Sequence, residues 1–369
     1  MRRAIAVLVV ACLALLGCRH RIVPTPAPRV KVGVLLPLSG PLGSYGKACE
    51  EGIRLWAETN PRVDLIWEDD RGEAAASAEA FRRLDRAGAS VVIGPVTSTC
   101  AFAVAPLADE ARLPIVSPSA SHFDVTRGHP YVSRVCFVDP MQGSALAIFA
   151  RENLGVSRIA ALLQKDEPYT KSLSEAFRQA FHHLGGVVVL VEEYEAGATD
   201  FGPILSRVKD SGAEALFAPG FVHEVGVLMK QARLAVPGLR ILGGDGWDSP
   251  ELFAEAGPAA EGHFYTSQFA PTDKDEVVAR FVSSYRTRYG RDPGMFAALG
   301  YDAAERVSLC LADGTREGIT KTLSSTSTFR GVTGSMTFDA DRNPMKPVVI
   351  LRTLADRAVF ETRVTFGPR

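Results

Sequence analysis

Apolar residues follow two rhythms along this chain, and the two rhythms alternate. Short continuous runs rich in β-branched residues occur at Val30 to Leu36, Val63 to Trp67, Ser90 to Ile93 and Pro114 to Val116, the pattern of strands buried on both faces. Between them lie longer stretches with apolar positions three and four apart: Gly46 to Glu58, the Ala-rich Glu73 to Ala87, and Thr99 to Ala111. Those predict helices. The order then starts again. Helices over Ser144 to Asn153, Lys171 to Leu184, Phe201 to Lys209 and Glu224 to Leu234 alternate with strands over Arg158 to Leu163, Val187 to Val191, Glu214 to Ala218 and Arg240 to Gly243. Strict β-α alternation argues for parallel, doubly wound sheets, so the expectation is an α/β protein of two Rossmann-like lobes. The helices Glu276 to Tyr289 and Phe296 to Leu311 bring no full set of strands and are assigned to the first lobe.

The N-terminus has a different character. Met1-Arg2-Arg3 precedes an uncharged apolar run from Ala4 to Leu16, short of the roughly 20 residues a spanning helix needs and suited to a signal-peptide core. It ends Leu15-Leu16-Gly17-Cys18, which resembles a bacterial lipobox and implies cleavage before Cys18 and a lipid on its sulfur; an ordinary secretory signal is the alternative. Pro24, Pro26 and Pro28 make the next segment an extended tether. The expected layout is a leader over 1–18, a tether over 19–29, a first lobe over 30–137 plus 265–330, and a second over 138–264 plus 331–369.

Composition narrows the function. A 46% hydrophobic content supplies two cores, and a net charge of −1 offers nothing to a nucleic acid. Cys49, Cys100, Cys136 and Cys310 form no Cys-x-x-Cys motif, and their pairing stays open. Gly40 to Lys47 fails the phosphate-loop spacing, because Ala48 stands where Ser or Thr is required. His182-His183 lacks an acidic partner in register, Glu68-Asp69-Asp70 suits a loop-stabilising role, and no Gly-x-Ser-x-Gly elbow exists. No metal, no cofactor and no enzyme activity are expected.

The chemistry sits in loops after strands, where open α/β sheets bind ligands. These are Ser39 to Gly46, Gly94 to Thr99, Ser117 to Ser121 and Gly243-Gly244-Asp245-Gly246-Trp247. Hydroxyls and helix N-terminal amides on one side, with a carboxylate on the other, suit a zwitterion. With Val32 to Gly46 (VGVLLPLSGPLGSYG), Val91 to Ser98 (VVIGPVTS), Leu113 to Ser121 (LPIVSPSAS), Thr199 to Lys209 (TDFGPILSRVK) and Ala260-Glu261-Gly262, the chain resembles the periplasmic leucine/isoleucine/valine-binding proteins, from about residue 30 to beyond 340.

That resemblance implies a type I periplasmic binding fold, two lobes joined by hinge crossovers. It further implies a monomeric, lipid-anchored, periplasmic or cell-surface receptor that captures an amino acid or similar small carboxylate by cleft closure and delivers it to an inner-membrane ABC permease. By the same resemblance Ser98 and Ser121, with backbone groups near Ser119 and Ala120, would meet the ligand carboxylate. Tyr45 would pack against the ligand side chain or close the cleft edge, Tyr169 would reach in from the second lobe, and Asp245 would take the ammonium. Phe221 stands where branched-chain binders carry a tyrosine, so one hydroxyl is missing. Two rivals remain: a sensor or regulatory lipoprotein on the same fold, and a hydrolase, for which no nucleophile and base are found.

Overall fold

The computed structural model describes residues 29–366; the leader, Cys18 and nearly all of the tether lie outside them. In the first half, β1 (Val30–Leu36), α1 (Gly43–Ala57), β2 (Val63–Asp69), α2 (Ala74–Arg86), β3 (Val91–Ile93), α3 (Ser98–Ala111), β4 (Ile115–Ser117) and β5 (Val132–Arg134) build a parallel sheet of order β2-β1-β3-β4-β5. Strand residues sort by parity, since successive side chains leave opposite faces. Val32, Val34 and Leu36 pack with Ile53 and Trp56 of α1, whereas Leu35 packs with Phe81 and Leu84 of α2.

The second half repeats the scheme. It comprises α4 (Asp139–Ile148), β6 (Arg158–Gln164), α5 (Pro168–His183), β7 (Val187–Tyr194), α6 (Gly202–Asp210), β8 (Ala215–Phe217), α7 (Val222–Ala235), β9 (Arg240–Gly243), α8 (Pro250–Ala256) and β10 (Phe264–Ser267). Ile159 and Ala161 face Phe177 and Phe181 of α5, while Ala160 and Leu162 join the cluster holding Leu205 of α6 and Leu228 of α7. The chain then returns to the first lobe with α9 (Glu276–Tyr289), α10 (Met295–Ser308) and α11 (Arg316–Ser325). Helix α10 crosses α1 at Gly52 and Gly300, where a Cβ would strike the carbonyls of Ala297 and Cys49.

The end of the chain departs from the sequence reading. Strands β11 (Thr328–Gly331), β12 (Gly334–Phe338) and β13 (Pro344–Met345) form a small antiparallel sheet, and β14 (Val348–Thr353) and β15 (Ala358–Val364) extend the second sheet to β15-β14-β10-β9-β8-β6-β7. Late strands therefore exist that the sequence reading did not place, although they form no β-α set of their own. They are antiparallel additions and leave no β-α rhythm to read. The expected lobe boundaries move with them. All of β10 stays in the second sheet rather than breaking at 264/265. The stretch from 331 to 345 stays with the first lobe, where buried Asp302 of α10 accepts from the amides of Val332 (2.6 Å) and Thr333 (2.9 Å).

Three segments cross between the large sheets: β5 to α4, β10 to α9, and β13 to β14. Buried side chains tie them together. Lys346 Nζ donates to Val135 O at 3.0 Å and to Thr333 Oγ1 at 2.7 Å, and the Phe137 amide donates to Gln268 Oε1 at 3.0 Å. The four cysteines of the folded part are buried and unpaired.

Gly300→Val is expected to destabilise the fold by about 1–3 kcal/mol, the usual range for overpacking, in urea unfolding. Leu234→Ser, at a position 83% exposed, should stay within about 0.5 kcal/mol of wild type.

Candidate ligand-binding cleft

The loops after β1, β3, β4 and β9 meet the N-termini of α5 and α7 between the lobes. They line a narrow cavity of about 30 Å³, bounded by Tyr45, Val96, Thr97, Ser98, Ser119, Ser121, Tyr169, Phe221, Asp245, Gly246 and Phe296. Seven of the eight residues expected at a ligand site stand together here. Ala120 does not. Its amide donates to Ser117 Oγ (3.1 Å), its carbonyl accepts from Arg134 Nη1 (2.6 Å), and its side chain lies in the first-lobe core.

The first-lobe wall is an amide and hydroxyl edge. Thr97, rather than Ser98, caps α3, accepting from the Cys100 amide at 3.3 Å. The first-turn amides of Ser98 and Thr99 have no acceptor within the helix. Ser98 Oγ accepts from the His122 amide at 3.1 Å, and Ser119 Oγ donates to Val96 O at 2.7 Å. Tyr45, stacked on Phe296 with centroids 4.4 Å apart, reaches across the cleft. Its hydroxyl donates to Gly246 O at 2.6 Å and accepts from the Val222 amide at 3.2 Å. Thr99 Oγ1 makes a second bond between lobes, donating to the Glu167 carboxylate at 3.0 and 3.1 Å.

The second-lobe wall centres on Asp245, 4% exposed. Its Oδ1 accepts from Tyr169 Oη at 3.0 Å and Gln142 Nε2 at 3.3 Å, and its Oδ2 accepts from Gln268 Nε2 at 3.0 Å. All three donors are neutral. Burial pushes its carboxyl pKa up, partly offset by these bonds. The nearby buried ammonium of Lys346 interacts with Asp245 through space but spends its hydrogen bonds on the hinge. Tyr169 approaches closely because its neighbour is Gly244, where a Cβ would overlap the tyrosine oxygen. Phe221 packs between Tyr45 and Tyr169, with centroids at 6.3 and 5.7 Å. Trp247 is core, its Nε1 donating to Ala218 O at 3.2 Å.

A sequence profile of the family described as periplasmic binding protein matches residues 29–358. The chain belongs to that family. It is similar to a Leu/Ile/Val-binding protein homolog of Brucella melitensis, 29% identical over 263 residues that cover 68% of this chain and 71% of that one. Among solved structures it resembles the leucine binding protein LivK of Thermotoga maritima, at 33% identity and TM-score 0.87 over 91% of this chain and 99% of that one. The branched-chain amino acid transporter substrate binding protein LivJ of Streptococcus pneumoniae, in complex with isoleucine, matches at 29% identity and TM-score 0.86 over 92% and 100%.

For a periplasmic binding protein, the decoys resolve simply. Glu68 pairs with Arg83 at 2.7 Å, Asp69 accepts from the amides of Leu38, Ser39 and Arg71, and Asp70 accepts from the Gly72 amide. Glu68 thus ties β2 to α2, and the two aspartates brace loops. Among the described residues no cluster of His, Cys, Asp or Glu is placed to hold a metal. Sequence reasoning missed Val96, Thr97, Gly246 and Phe296 in the lining. It also missed Gln142, Gln268 and Asp139 behind Asp245. Asp139 is fully buried and shares Gln142 Nε2 with Asp245, at 3.2 Å, while its Oδ2 has no hydrogen-bond partner among the described residues.

Burial pushes the Asp139 carboxyl up to about 7, and the Asp245 charge adds to the rise. Between the ordinary carboxylate range and that value the folded state binds more protons than the unfolded chain. The contribution of Asp139 is thus intact below this window and lost as pH rises through it. Asp139→Asn, which never ionises, should gain stability over wild type steadily from pH 4 to pH 8, read from urea midpoints.

Proposed function

We propose that this protein captures an α-amino acid with an apolar side chain outside the cytoplasmic membrane and presents it to an ABC permease, held at the membrane by lipid on Cys18. The observation that carries the proposal is Asp245: a buried carboxylate in a cleft between lobes, given only neutral donors. Such a group is costly to bury unpaired, and a ligand ammonium would compensate it. Opposite, the unsatisfied first-turn amides of α3 and the Ser98, Ser119 and Ser121 edge suit the ligand carboxylate, while Tyr45, Phe221, Phe296 and Val96 offer an apolar lining for the side chain. The relatives support this choice: the Thermotoga protein is a leucine binding protein, and the Streptococcus protein holds isoleucine.

In this reading the ligand docks on the first lobe and the second closes over it. The lobes are the two large sheets with their helices, 331–345 counted with the first. No bond of the solute is made or broken. A regulatory protein on this fold that binds no solute would have no need of a charged capture site, so Asp245 favours capture over that role.

A thermal-shift screen of the purified full chain against the twenty amino acids and benzoate tests the reading, since a ligand that binds only the folded state raises the melting temperature. One or more apolar amino acids should raise it. Asp245→Asn should lower their affinity at least about 30-fold, the scale for removing one partner of a buried charge pair, with the unliganded melting curve kept. A shift with benzoate alone would defeat the amino-acid reading. For the anchor, Cys18→Ser should move the protein from the membrane to the soluble extracytoplasmic fraction in a bacterial host; unchanged partitioning would remove Cys18 as the lipid site.

A further inference from the structure

One of the three donors to Asp245 belongs to the hinge. Gln268 follows β10 directly, in the second crossover, and is 1% exposed. Its Nε2 donates to Asp245 Oδ2, while its Oε1 accepts from the Phe137 amide of the first crossover, each at 3.0 Å. The second bond dictates the first. A backbone N–H can only donate, so Oε1 must face Phe137 and the NH2 group must face the carboxylate. Gln142 is oriented by the same logic: its Oε1 accepts from Thr266 Oγ1 at 2.6 Å and the Asp245 amide at 3.2 Å, which leaves Nε2 for the acids. Only Gln268, however, joins Asp245 to a second crossover, and the third is fastened two residues away, where Lys346 holds Val135 O.

Building on the amino-acid reading, we propose that Gln268 is a positioning residue for ammonium recognition, holding Asp245 in place for the ligand only while the first and second crossovers stay aligned. It does not line the cavity, so it acts through Asp245 rather than by touching the solute. Crossovers must change their torsions when lobes swing apart. Such a change pulls Phe137 from Oε1, frees the carboxamide to turn, and loosens the ammonium site as the cleft opens. One side chain would thus couple grip to closure.

Calorimetric titration of the full chain with L-leucine and with 4-methylpentanoate, the same skeleton without its ammonium, tests this. Gln268→Met removes both bonds at similar volume. It is expected to weaken leucine binding about 10- to 100-fold, the range for a lost hydrogen bond to a charged group, and to leave 4-methylpentanoate within about twofold, so that the preference collapses. A residue that merely supported the fold would weaken both ligands alike, and that result overturns the proposal. Should Gln268→Met not fold, Gln268→Glu decides. Its carboxylate still accepts from Phe137 but opposes Asp245 until it is protonated and can donate. Its leucine affinity relative to wild type should therefore recover as pH falls from 8 to 5. Asp139, Asp248, Tyr169, Tyr45, Cys136 and Lys346, the other titratable groups that interact with Asp245, are common to both proteins and cancel in the ratio; a pH-independent ratio overturns the proposal. If wild type prefers neither leucine nor any other apolar amino acid to its deaminated counterpart, the amino-acid reading falls and this inference with it. If wild type does and Gln268→Met keeps that preference, only the inference falls.

Discussion

A carboxylate withdrawn from water needs a counter-charge or a dense set of donors, and the second-lobe wall is arranged around that requirement at Asp245. Neutral donors from Tyr169, Gln142 and Gln268 hold the acid without cancelling its charge. A built-in lysine or arginine would have satisfied Asp245 permanently and left nothing for a solute to add. The glycines around it follow from the same need. Gly244 makes room for the tyrosine oxygen, and a side chain at Gly246 would collide with the Gly220 carbonyl.

The contacts between the lobes have their own chemistry, separable from that of a ligand. Tyr45 and the Thr99–Glu167 bond tie lobe to lobe by protein atoms alone. Each such bond nets only about 0.5–1.5 kcal/mol, or somewhat more where a charge takes part, so they would bias the proposed open-closed equilibrium without locking it. In the proposed capture, a solute bridging both walls would supply the differential affinity that shifts the population. The crossovers would give that movement an axis, and Gln268 and Lys346 bind them side to side rather than leaving three independent strings.

Much of this was legible in sequence because buried parallel strands are continuous apolar runs. Every strand and helix expected between residues 30 and 243 is present, with ends shifted by a few residues. The site loops were legible for a related reason: glycine, serine and a lone acid after a strand are residues that a core does not request. Ala120 failed because its backbone was taken to be free, and only the fold reveals that Ser117 and Arg134 use it. Phe296 was hidden within an apolar helix, where a cavity-lining ring cannot be told from a core one. Gln142 and Gln268 carry no local signature, since their importance arises from partners about a hundred residues away in one case and in a different crossover in the other. The terminal strands escaped because antiparallel additions break the alternation that exposed the rest.

The four buried thiols bear on how such a chain matures. Burial pushes the pKa of Cys100 and Cys136 up to about 12 and that of Cys310 to about 11, and it raises Cys49 as well. A sulfhydryl kept protonated and shielded presents no nucleophile to an oxidant or to a thiol exchange catalyst. A secreted polypeptide of this design would acquire its native state with no oxidative cross-linking step, and its shelf life in an oxidising environment would depend on how rarely the core breathes.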